Sequence, residues 1–171
     1  MTTAALKDGT PITIRPIRAE DEPLMVTFHR MLSPGSVYSR YFEFLQLEQR
    51  TAHERLARLC FIDYGREMAL VAEHRSRATG EREIIGVGRL IKLSAPGSAE
   101  FAVVVGDPWQ RRGLGTLLLD LLVKVGRDEG LAGISGAILP DNVAMRRVAR
   151  KAGFQLRHPP GENTFLAEIL L

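Results

Sequence analysis

Between Pro11 and Ile17 the sequence PITIRPI alternates Ile12 and Ile14 with Thr13 and Arg15. That is the period of a half-buried strand, and Pro16 puts it at an edge or a strand end. RAEDEPLMVTFHRM then predicts a helix from about Asp21, with acidic residues in its first turn and Pro23 near its start. SPGS, Ser33 to Ser36, ends it. From Val37 to Phe61 the residues Tyr38, Tyr41, Phe42, Leu45, Leu56, Leu59 and Cys60 are spaced for one or two short helices. The period then shortens. EMALVAEHR, REIIGVGRLIKL and AEFAVVV are β-rich runs separated by SRATGE and SAPGS, which predicts an antiparallel meander of three strands.

Leu114 to Glu129 returns to helical spacing, with a narrow polar stripe of Thr116, Asp120, Lys124 and Arg127 or Asp128 among leucines and valines. This helix is predicted to lie largely buried against the sheet. AGISGAIL (Ala132 to Leu139) reads as a strand, and DNVAMRRVARKAGF as an amphipathic helix with Asn142 near its start and Gly153 at its end. HPPGE is a turn before NTFLAEILL, a closing strand. No internal repeat, low-complexity tract or linker interrupts the order β, α, α, β, β, β, α, β, α, β, β. That order predicts one mixed α/β domain over residues 1–171, a length ordinary for a single domain.

Composition adds little to that picture but removes some function classes. With 45% hydrophobic and 25% charged residues the chain can build a sizeable core and fold alone. The formal charge of +3 and a pI near 9.3 are mildly basic, and the arginines are spread along the chain. Anionic ligands fit this balance; nucleic acid does not, since aromatics and arginines are interleaved on no single element. The single cysteine, Cys60, permits no intramolecular disulfide, and on an apolar face it reads as a core residue. His29, His53, His74 and His158 show no metal-ligand spacing, so no metal is expected. The start MTTAALKDGTPIT lacks a long apolar region, and no apolar run reaches the roughly 20 residues a membrane span needs. A cytoplasmic protein without a membrane partner is the expectation.

The chemistry concentrates in FAVVVGDPWQRRGLGTLLLDLL, Phe101 to Leu122. A strand enters a loop holding Gln110, Arg111, Arg112, Gly113 and Gly115, and a leucine-rich helix leaves it. Glycines let a ligand approach the main chain, and the free N–H groups at a helix start attract anionic oxygens, as do the two arginines. A Gly-x-Gly before a helix is also compatible with a plain tight turn. The segment lacks the Gly-Lys-Ser/Thr of a P-loop and the third glycine of a dinucleotide fingerprint.

VVVGDPW followed by QRRGLG resembles the acyl-CoA motif of the GNAT superfamily of N-acetyltransferases, Gln/Arg-x-x-Gly-x-Gly/Ala. ITIRPIRAED near the start and NVAMRRVARKAGF near the end are similar to further family motifs, in the family's order. The resemblance implies the GNAT fold, a mostly antiparallel central sheet flanked by helices, with acyl-CoA in a cleft beside the central strand. It implies acetyl-CoA as co-substrate, bound by Val103 and Val105 on the strand, by Gln110, Arg111, Arg112, Gly113, Gly115 and Thr116 on the loop, and by Asn142. Asn142 equally reads as a helix cap after Pro140-Asp141, and the two roles can coexist.

Acetylating an amine requires it neutral, yet a lysine has a pKa near 10.4, so a base is needed. Strand alternation sets Glu100, Ala102 and Val104 opposite Phe101, Val103 and Val105. Alone, Glu100 reads as a solvated residue at a strand entrance. AEFAVVV resembles the Ala-Glu that protein lysine acetyltransferases of this superfamily place before the CoA loop, which implies Glu100 as the general base. Many members carry a tyrosine in the second motif as general acid; Ala149 stands there, so no general acid is assigned.

SVYSRYFEF and LARLCFIDYGREMALVAE resemble the acetyltransferase domain of the Pat-type bacterial protein lysine acetyltransferases, as does the alanine at 149. The long members of that group carry a fused acyl-CoA-synthetase-like domain and others a cyclic-nucleotide-binding domain; neither is expected within these 171 residues. The resemblance implies a protein lysine as acceptor, with an acyl-CoA synthetase as the best single candidate. A small-molecule amine N-acetyltransferase and a non-catalytic acyl-CoA-binding module are the alternatives. Tyr38, Arg40 and Tyr41 fit either an acceptor site or the packing of a helical lid.

Overall fold

Residues 67 to 105 form the expected meander in the computed structural model, which describes residues 1–171. The strands are β1 (Thr2–Ala5), β2 (Pro11–Pro16), β3 (Glu67–Arg75), β4 (Arg82–Lys92), β5 (Ser98–Val105), β6 (Gly133–Ile138), β7 (Gln155–Arg157) and β8 (Phe165–Leu170). They make one eight-stranded sheet in the order β1-β2-β3-β4-β5-β6-β8-β7. Every neighbouring pair is antiparallel except β5 and β6, which run parallel. The helices are α1 (Glu22–Arg30), α2 (Pro34–Tyr41), α3 (Leu47–Thr51), α4 (His53–Cys60), α5 (Leu114–Asp128) and α6 (Val143–Lys151).

Two elements depart from the sequence reading. Thr2–Ala5 forms a strand with no alternating apolar pattern to announce it; it is only four residues long and stays mostly exposed. Its pairing comes from the hairpin with β2, where Thr2 faces Ile14 and Ala5 faces Pro11. Val37 to Phe61 falls on three helices rather than one or two. Phe42 ends α2 in the left-handed region at φ 62, and Ala52 at ψ 133 is too extended to let α3 run into α4. SPGS ends α1 and also starts α2, since Ser33 Oγ accepts the Ser36 N–H.

Helices cover both faces of the sheet. On one, α5 lays Leu114, Leu118, Leu119 and Leu122 against Ile85, Phe101 and Ile134. Asp120, Lys124, Arg127 and Asp128 remain outside as its exposed stripe. Close approach needs Gly86 and Gly88 on β4, where a Cβ would lie 2.9 Å from Leu114 and 3.2 Å from Leu122. On the other face α1 and α4 bury Phe28, Met25 and Leu56 against Ala69, Val71, Ile84 and Val87. At full burial each large apolar side chain stabilises by about 1.5–3 kcal/mol.

A buried ion pair links this helical layer to the sheet. Arg15 on β2 donates from both terminal nitrogens to the Asp21 carboxylate at 2.8 Å, and its Nε donates to Glu73 on β3 at 3.0 Å. Asp21 also accepts the Arg18 N–H at 2.8 Å. Arg15 and Asp21 are only 3% and 4% exposed, so each requires the other to remain charged in the interior.

Candidate active site

Between β5 and α5 the chain turns through Asp107–Trp109 and then Gln110 to Gly113. Arg111 (φ 63) and Gly113 (φ 88) both sit in the left-handed region, which for an arginine is uncommon. The consequence is a row of main-chain donors. The backbone N–H groups from Arg111 to Thr116 reach no acceptor in the protein, and α5 has no side-chain cap at its start. Adding the positive end of the α5 dipole, this concave row suits the oxygens of a phosphate or pyrophosphate.

The loop is held from several sides. Gln110 Nε2 donates to the Val105 carbonyl and to Ser36 Oγ, each at 3.1 Å, tying the loop to the strand end and to α2. The Arg112 carbonyl accepts the Lys7 N–H at 3.0 Å. Its guanidinium donates to Asp8 at 3.1 Å and lies 4.9 Å from the Trp109 ring centroid. A Cβ on Gly115 would lie 3.7 Å from Val148 and 3.9 Å from Val105, ordinary contact distances, and Thr116 is half-buried. Lys7 and Asp8, in the turn of the β1–β2 hairpin, therefore border the loop; sequence reasoning missed them because that hairpin went unrecognised.

β5 pairs with β6 only over Ser98, Ala99 and Glu100. Beyond Glu100 the two strands part, and the gap opens as a cleft of about 260 Å³ lined by Arg40, Tyr41, Glu100, Val103, Asn142 and Met145 among others. Gly106 N–H donates to Ile85 O, so by antiparallel alternation Val103 and Val105 turn their main-chain groups away from β4, toward this side. Glu100 is exposed on the cleft wall. Asn142 caps α6 by accepting the Met145 N–H at 3.1 Å, and it also lines the cleft. Glu100, Val103 and Asn142 thus share one cavity, while Gln110 connects it to the loop bearing Arg111, Arg112, Gly113, Gly115 and Thr116. Ala149 is fully buried in the core under α6.

A smaller cavity of about 30 Å³ lies beneath the cleft, walled by His29, Arg40, Tyr41, Arg89, Ala102 and Val104 among others. Burial pushes the His29 imidazole down to about 3, and the charges of Arg55, Arg50, Arg89 and Arg40 add to the shift. The sequence offered one signal for it: an arginine, Arg89, inside the otherwise apolar strand REIIGVGRLIKL. No group of three or more His, Cys, Asp or Glu side chains is placed to hold a metal ion, and no helix is long and apolar enough to cross a membrane.

A model of the acetyltransferase (GNAT) domain matches residues 12–155. Acetyltransferase PA5475 of Pseudomonas aeruginosa is 32% identical over 160 residues, 94% of this chain and 83% of that protein. The crystal structure of the GNAT domain of S. lividans PAT superposes with a TM-score of 0.86 at 26% identity, covering 99% of this chain and 96% of that one. The PaiA N-acetyltransferase of Thermoplasma acidophilum, crystallised in complex with coenzyme A, shares the fold with a TM-score of 0.70 at 17% identity, over 94% and 99% of the two chains.

Proposed function

The chain belongs to the GNAT acetyltransferase family, whose acyl donor is acetyl-CoA, and on that premise we propose that it acetylates a lysine on a folded protein with Glu100 as general base. The observation that carries the donor half of this reading is the run of unsatisfied N–H groups from Arg111 to Thr116. They receive the pyrophosphate, with Arg112 beside it. The pantetheine arm then runs along β5, pairing with the main chain of Val103 and Val105 where β6 has turned away. Asn142 and Met145 form the opposite wall.

The acceptor amine enters on the side of Glu100 and Arg40. Glu100 takes its proton, directly or through a water, as the nitrogen attacks the thioester carbon. Exposure of Glu100 suits the task, because the proton must pass on to solvent before the next turnover. The tetrahedral intermediate expels the CoA thiolate. A thiol pKa near 8.5 makes that an adequate leaving group, protonated by water since position 149 carries no phenol.

Two features favour a protein acceptor. The likeness to the S. lividans PAT domain reaches 26% identity across almost the whole chain. Aromatic side chains are also exposed at and near the cleft: Phe42 on its wall is 40% accessible, and two residues on Phe44 is 66% accessible and stacks on Tyr38 with ring centroids 4.6 Å apart. Such rings are the anchors protein interfaces prefer. A protein supplies binding energy remote from its lysine, so an open cleft remains selective. An acyl-CoA synthetase is the best single candidate; a free small amine is the alternative.

Labelled acetyl-CoA incubated with the enzyme and either acetyl-CoA synthetase or a set of polyamines, aminoglycosides and amino acids separates these readings. Label is expected on the synthetase lysine. Efficient transfer to a small amine with none on the synthetase would replace this acceptor with the alternative. The donor site has its own test: Arg112→Ala removes a charged contact and is expected to raise the acetyl-CoA Kd about 10-fold by calorimetry, close to 1.4 kcal/mol. Unchanged affinity would move the pyrophosphate off this loop.

A further inference from the structure

We propose that the small cavity walled by His29, Arg40, Tyr41 and Arg89 is a carboxylate-binding subsite on the acceptor face of β5. Its side chains offer donors and almost no acceptors. Arg50 Nη1, which can only donate, stands 3.4 Å from His29 Nδ1 and donates to the His29 carbonyl at 2.8 Å. The imidazole hydrogen is therefore on Nε2, which is buried and has no hydrogen-bond partner. Arg89 is 6% exposed; its Nη2 donates to Leu59 O at 2.7 Å, while its Nη1 finds no hydrogen bond and only a 3.7 Å ion-pair contact with Glu67. The Arg40 guanidinium, 4.8 Å from the Tyr41 ring centroid, completes the wall. Against these donors the lining side chains set only the Tyr41 hydroxyl, the weakly accepting Met25 sulfur and His29 Nδ1, which already faces Arg50.

Orphaned donors in the interior carry a free-energy penalty, which an anionic oxygen would relieve. The cluster of Arg40, Arg50, Arg55 and Arg89 around His29 supplies the field that holds such an oxygen charged. A volume of about 30 Å³ admits one carboxylate head and little more. Its position links it to catalysis. Arg40, Tyr41 and Ala102 line both this cavity and the cleft containing Glu100. Ala102 and Val104 follow Glu100 on the same strand face, roughly 7 and 14 Å along it. The carboxylate belongs either to an acidic side chain beside the target lysine of the acceptor or to the far end of a dicarboxylic acyl group on CoA.

Sodium acetate titrated into the protein free of CoA reads the subsite directly, whatever the acceptor proves to be. Saturable binding is expected, weakened about 10-fold or more in Arg40→Gln, a half-buried position whose change leaves the core intact; Arg89→Gln, if it folds, should act likewise. Two kcat/KM ratios then identify the source: an acceptor peptide with glutamate beside its lysine against the same peptide with glutamine there, and succinyl-CoA against acetyl-CoA. In Arg40→Gln the first falls about 10- to 100-fold if the carboxylate rides on the acceptor, and the second does so if it ends the acyl chain. Acetate that does not saturate, or binds Arg40→Gln equally well, overturns the subsite and leaves a water-filled cavity. Both ratios unmoved would overturn its link to the reaction.

Discussion

Glu100→Gln is expected to lower kcat by roughly 10²- to 10⁴-fold, the usual range for a lost general base, while the acetyl-CoA Kd stays near that of the parent protein. The substitution keeps the shape of the side chain and leaves the loop from Gln110 to Thr116 untouched. Glu100 lies on the cleft wall, on the face of β5 shared with Ala102 and Val104. A steady-state rate series from pH 6 to 10 adds a readout that a structural role would not move: raising the pH deprotonates the free amine and should restore part of the lost rate. Undiminished turnover at neutral pH would return Glu100 to a solvated strand residue.

The largest expected effect on stability comes from Asp21→Asn, a loss of about 3 kcal/mol or more in urea unfolding at pH 7, as when one partner of a buried pair is removed. Burial pushes the Asp21 carboxyl up, but the Arg15 hydrogen bonds, the Arg18 N–H and the charges of both arginines together hold it below the usual carboxylate range. Its stabilisation is complete above the unfolded-state pKa of about 3.9 and fades as pH falls through the lower folded value. The gap between parent and variant should therefore narrow below about pH 4. His29 acts earlier. An unfolded histidine takes its proton near 6.5 and the buried one only near 3, so stability declines as pH drops through that window. A parent protein equally stable at pH 7 and pH 4 would contradict this account.

Most of the sheet could be read from local pattern, because β3, β4 and β5 are short β-rich apolar runs separated by polar turns. The loop at Gln110 to Gly115 was legible for a similar reason, its glycines and arginines being adjacent in sequence. What escaped was set by distant partners. Thr2–Ala5 carries too few apolar residues to announce a strand and gains its place from β2. The parting of β5 from β6 has no signature in either strand alone; it shows only in the register that stops at Glu100 and Ser135, near which the Phe101 ring fills the space a Cβ on Gly136 would need. His29, Arg40 and Arg89 come from α1, α2 and β4, and only the fold encloses them in one cavity.

The gap between β5 and β6 leaves the main chain of Val103 and Val105 without a neighbouring strand on that side. If the pantetheine arm lies along Val103 and Val105 as proposed, it contributes the missing rungs, and binding the donor and completing the sheet are then one equilibrium. Amide hydrogens along the cleft edge should exchange with solvent readily in the empty protein and slowly once the arm is in place. At a donor concentration 100 times its Kd the folded state gains about 2.7 kcal/mol. The lifetime of this protein against unfolding and proteolysis would then track the acetyl-CoA supply, and the enzyme would be scarcest when its own substrate is.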